Sequence, residues 1–167
     1  MARATRYARD MDPKRELLRH TVATLAYRAS KVLRDAPTGL AETRAAESSR
    51  SAIEILAHVN DVLEWARSIA AGEEAWRSES SEDWEREVQR FFDGLEALET
   101  FLAGDAPLAS PEERLFQGPI ADSLTHIGQI ALLRRLAGTA VAGENYHRAD
   151  IAAGRVGPDQ VAPEREF

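Results

Sequence analysis

The stretch "GPIADSLTHIGQIALLRRLAG", Gly118 to Gly138, decides how this chain is read. It lies between a Gly-Pro step and a glycine, the punctuation of a helix that begins at a proline and stops at a glycine. Wound at about 100° per residue, its apolar side chains fall nearly all the way round, so the helix is expected to be almost wholly buried. Yet Asp122 and His126 stand one turn apart, about 40° from each other, on one inward face. A carboxylate and an imidazole are costly to bury unless paired, hydrogen-bonded or metal-bound.

The segments before it carry the same helical period. "DPKRELLRHTVATLAYRASKVLRDAP" opens with Asp12 as N-cap and Pro13 at the first helical position, and closes at Ala36-Pro37. Within it Leu17, Leu18, Val22, Leu25, Ala29, Val32 and Leu33 recur at spacings of three and four. "SRSAIEILAHVNDVLEWARSIAAG" reads as a second helix, from about Ser49 to a stop at Gly72, with Ile55, Val62, Trp65 and Ile69 on one stripe and His58 in its middle. "SSEDWEREVQRFFDGLEALETFLAG" is the third, capped by Ser81 and acidic in its first turn, where negative charge complements the helix dipole.

Between the third and fourth helices, "LASPEERLFQGP" reads as a loop, or as a short helical turn from Ser110 that Gly118-Pro119 ends. After Gly138, residues Tyr146 to Ala153 are long enough for one more short helix, and the Gly and Pro residues beyond Gly154 predict an extended tail. No strand-length alternation and no internal repeat occurs. Four amphipathic helices of about 20 residues predict one all-α domain, a four-helix bundle with peripheral tails at 1–11 and 155–167. Long connections after helices one and three leave room for crossovers.

Composition bounds the function. The 167 residues suit one domain, and a net charge of -7 with scattered Lys and Arg gives no basic footprint for nucleic acid. The absence of cysteine excludes disulfides, thiolate metal sites and a cysteine nucleophile. No apolar run reaches the roughly 20 residues that span a bilayer, and "MARATRYARDMDPKRELL" lacks an apolar signal core, so the expected location is the cytoplasm.

An acid-x-x-x-His spacing occurs twice, as Glu54/His58 and Asp122/His126. Two neutral imidazoles and one carboxylate suit Zn, Ni, Mn or Fe(II), and three protein ligands leave a coordination position open. The plainer readings are a core histidine bonded to a carbonyl or a Tyr hydroxyl, and an Asp122 that only favours a helix start. His20 shares a stripe with Thr24, Tyr27 and Lys31 that either borders a pocket or meets solvent, and His147 has no spacing partner. Trp65, Trp76 and Trp84 read as core and bundle-end packing.

Taken together, "EILAHVNDVLEWA", "THIGQIALLRRLAG" and "ENYHRADIAAGRVGPDQ" resemble the DinB-like family of four-helix bundles, which includes thiol-dependent transferases related to mycothiol-dependent maleylpyruvate isomerase. The resemblance covers roughly Leu17 to Gln160, and its most specific parts are the His of "ILAHV" and the His-x-Gly-Gln of helix four. It implies a divalent metal, Zn or Ni ahead of Mn or Fe, held by one His of helix two and an His-x-x-x-His pair of helix four. Those positions fall on His58, Asp122 and His126, with Asp122 standing where the family's usual residue is His.

The resemblance further implies homodimers and a small-molecule substrate, with no nucleic-acid or membrane partner. A metal-dependent transferase or isomerase would then take its sulfur from a low-molecular-weight thiol, since the chain has none of its own, and Glu54 is the candidate base or support for His58. The alternative is a non-enzymatic, stress-associated or small-molecule-binding dimer whose buried polar groups bond only to one another.

Overall fold

The computed structural model describes residues 12–167; the tail expected at 1–11 lies outside the described residues. Helix α1 spans Pro13–Leu33, α2 Ala52–Ala71 and α3 Trp84–Ala103. Helix α4, Glu112–Leu115, runs through a π-helical segment, Phe116–Ile120, into α5, Ala121–Leu136. No strand forms among the described residues, only two isolated bridges.

The caps follow from short polar side chains. Asp12 accepts from the Lys14 N–H, and Ser51 with Glu54 forms a reciprocal capping box at the start of α2. The cap of α3 is Asp83, not Ser81. Ser81 is spent one step earlier: its hydroxyl accepts from the Asp83 N–H and its own N–H donates to Glu87. Gly72 ends α2 at φ 83°, a left-handed conformation that glycine adopts without strain.

Gly118-Pro119 does not end a helical turn, as its composition suggests. Proline cannot donate to the ladder and its ring presses on the carbonyl four residues back. The wider π turn accommodates both, so one continuous helical axis runs from Glu112 to Leu136. The further helix expected at Tyr146–Ala153 shortens to one 3₁₀ turn, Tyr146–Arg148.

Cross-bonds fix the topology. Arg15 donates to the carbonyls of Phe101, Leu102 and Ala106, so α1 and α3 are antiparallel. Lys14 pairs with Glu113, and Arg134 donates to the Val32 and Arg34 carbonyls, so α5 runs parallel to α1. Asn60 reaches Glu87 and Arg90 reaches Asp61, which makes α2 and α3 parallel neighbours. The order is up, down, down, up, with α1 and α2 each packed against α3 and α5. Parallel neighbours need a connection that returns along the bundle, and residues 72–83 supply it. The crossover therefore falls after α2, in neither of the long connections after helices one and three that leave room for one.

Leu25, Leu56, Phe91, Leu95 and Ile130 meet at the centre, each fully buried. Burial of that kind contributes about 1.5–3 kcal/mol per side chain. The tail 155–167 is extended as expected, but it is tied down. Val156 is buried, the Asn145 and Phe167 N–H groups donate to Arg165 and Gly143, and Lys31 joins Glu144 to Glu166.

Candidate metal centre

Helix α5 is less buried than its composition suggests. Leu132 and Leu136 remain 49% and 61% exposed, and the carboxylate of Asp122 is 48% exposed. The face that carries Asp122 and His126 looks along the seam with α2, not into the centre of the bundle. There it meets His58.

The three side chains converge from two helices. His58 Nε2 lies 3.7 Å from Asp122 Oδ2, and His126 Nε2 lies 3.6 Å from Asp122 Oδ1. The imidazole rings stand edge to face with centroids 4.9 Å apart. One ligand atom from each residue lies within 4.8 Å of both others. The carboxylate–imidazole separations are too long for hydrogen bonds. They are close to the spacing of two ligands on one ion, because atoms bound to a tetrahedral zinc stand about 3.3 Å apart. The set as a whole, spread over as much as 4.8 Å, would have to draw in further to share one cation.

The ring electronics suit that arrangement. His126 Nδ1 is 2.9 Å from Gln129 Oε1, so the hydrogen sits on Nδ1 and the Nε2 lone pair faces the cluster. Gln129 is one turn on, a neighbour dictated by the i, i+3 geometry of the helix. His58 is held below its usual pKa chiefly by burial, then by the charge of Arg50 and the neighbouring imidazole of His126, against the opposing pull of Asp122 and Asp61. That favours the neutral ring, the form that binds metal.

Glu54 has another occupation. Its carboxylate accepts from the Ser51 N–H at 2.7 Å and takes a two-pronged bond from Arg44 at 2.7 and 3.0 Å. Arg44 and the capping bond hold its pKa down to about 2. A carboxylate so acidic and so engaged is a poor proton acceptor at neutral pH, and it supports the N-terminus of α2 rather than His58. The one-turn spacing misled because the capping box draws this side chain back along the helix. His20 and His147 are exposed, away from the cluster.

Two features of the surroundings have little sequence signal. Trp76, in the returning connection, lies 6.2 Å from His58 and 6.0 Å from Trp65, centroid to centroid. That connection is pinned beneath by buried polar groups. Asp61 accepts from the Ser78 hydroxyl and the Glu79 N–H and pairs with Arg90, and Glu87 accepts from Asn60 and the Ser81 N–H. Trp76 lies in a connection without periodicity, and its anchors on α2 and α3 look in sequence like ordinary polar helix residues, so neither could be placed from spacing.

The fold and site thus define an all-α helical bundle with a His-Asp-His cluster on the α2/α5 seam. No family model, curated protein or solved structure matches the chain. Among the described residues this is the one group of three or more potential ligand side chains with metal-binding geometry, and no helix is long and apolar enough to cross a membrane.

Proposed function

We propose that His58, Asp122 and His126 hold a divalent cation, zinc or nickel ahead of manganese or iron(II), and that the chain acts as a metal-dependent bundle of the DinB-like kind. One observation carries this reading: three ligand atoms from two helices gather within 4.8 Å, at separations too long for direct hydrogen bonds. Two neutral imidazoles and a carboxylate are a donor set for these ions, and the carboxylate lowers the net charge of the centre. Gln129 fixes the ring of His126, and the half-exposed Asp122 leaves one side open to a small molecule.

A divalent ion at such a centre supplies a Lewis acid that favours the thiolate or hydroxide form of a ligand at its open position. The chain contains no cysteine, so a sulfur nucleophile would come from a low-molecular-weight thiol. The resemblance to thiol-dependent transferases is what favours a transferase or isomerase of that type.

The test is metal analysis of protein purified without chelator, with His126→Ala beside it. About one equivalent of metal is expected, with tight binding lost and the melting temperature lowered only in the metal-loaded comparison. Less than a tenth of an equivalent, with melting unaffected by EDTA, overturns the metal reading and favours a non-enzymatic bundle. Absence of turnover with mycothiol, bacillithiol or glutathione and electrophiles overturns the thiol reading alone.

A further inference from the structure

Trp76 is held beside the cluster without contributing much to the fold. It is 51% exposed, which leaves on the order of 100 Å² of its side chain uncovered. The connection around it is otherwise polar, and its anchors are Asp61, Arg90 and Glu87, none of which needs the indole. Trp65 meets Trp76 at 68° and His58 meets it at 51°, so both neighbours steady the indole without stacking parallel to it. The result is an aromatic surface with open area next to a ligand of the metal centre.

Trp65, the aromatic neighbour of Trp76, also lines a groove of about 660 Å³ with Ile69, Pro119, Glu74, Arg114 and Gln117; Trp76 and the three ligand side chains are not part of its lining, so the open area at Trp76 is its own exposed face.

We propose that the centre takes ligands with a planar aromatic body, which lies on Trp76 while a metal-binding head group enters the position left open by His58, Asp122 and His126. This rests on the metal reading above. Trp76 is then a specificity-determining residue: it selects the organic body and leaves metal affinity to the triad.

The test uses the full-length chain loaded with Co(II), whose visible bands report both the ion and its ligands. Acetohydroxamate and benzohydroxamate are titrated as probes with the same head group and different bodies. Benzohydroxamate should bind about tenfold tighter, the scale of one aromatic stacking contact. Trp76→Ala should bring the two probes within about twofold while Co(II) and acetohydroxamate bind as in the unaltered chain, and Trp76→Phe should retain most of the difference. Equal affinities in the unaltered chain, or a preference that survives Trp76→Ala, overturn the proposal and leave the metal reading standing. A chain that develops no Co(II) bands overturns the metal reading, and this proposal with it.

Discussion

Replacing Gln129 by Leu separates support of the proposed metal centre from its proposed ligands. Gln129 is exposed, and its Oε1 accepts a single hydrogen bond of 2.9 Å from His126 Nδ1. Its loss frees the ring to rotate and to place its hydrogen on either nitrogen, so part of the population no longer aims a lone pair at the cation. Outer partners of metal-bound histidines typically contribute 10–100-fold in affinity. Water can replace a partner as exposed as this one, so the lower end applies, about tenfold or about 1.4 kcal/mol. Competition against a chromophoric zinc chelator measures this directly. The metal-free variant should melt as the unaltered chain does, within about 0.5 kcal/mol, because the site is on the surface. Gln129→Glu restores an acceptor and should bind at least as tightly as Gln129. An unchanged affinity in Gln129→Leu would refute the view that this contact sets the tautomer of His126.

Four further outcomes are expected. Asp122→His should keep or strengthen metal binding, measured by the same competition, because it supplies a third imidazole at the same point. Glu87→Ala should cost about 3–5 kcal/mol in urea unfolding, since it removes a carboxylate 1% exposed and strands Asn60, Arg90 and the Ser81 N–H; a loss below about 1 kcal/mol would count against the network as an anchor. The depressed pKa of His58 makes the folded state bind fewer protons than the unfolded chain just below pH 6.5, so metal-free stability is full above 6.5, falls as pH drops through the lowered pKa, and should lose part of that slope in His58→Asn. Exposed Leu17, Phe116, Leu132 and Leu136 favour a C2 homodimer, so light scattering should return twice the 18.4 kDa chain mass, and a monomer at micromolar concentration would refute it.

The all-α architecture was legible because three- and four-residue periodicity is a local property of helices. The gathering of His58, Asp122 and His126 was legible in part, since the helical period sets Asp122 and His126 on one face of their helix and His58 on the apolar stripe of another, although that face meets a seam and not the centre. Other features depend on contacts that spacing does not encode. Asp122 is half-exposed because α5 faces a seam, and its burial depends on which neighbour covers it. Glu54 has the same spacing to its histidine as Asp122, yet a capping serine and Arg44 claim it. The parallel pairing of α2 and α3 is set by Asn60, Asp61, Glu87 and Arg90, which in sequence resemble ordinary surface residues.

The π turn at Phe116–Ile120 amounts to one extra residue lodged in an otherwise regular helix. Deleting Gly118 would let the axis close into plain α-helix, but it would also turn everything upstream by about 100° relative to α5. Leu115, fully buried, would swing out of the core while Asp122 and His126 kept their register. The widening thus acts as a phase shifter: it lets one helix satisfy a core contact at its start and still turn Asp122 and His126 toward His58 further along. Any bundle lacking it can be compared with this chain only by opening a one-residue gap before Asp122.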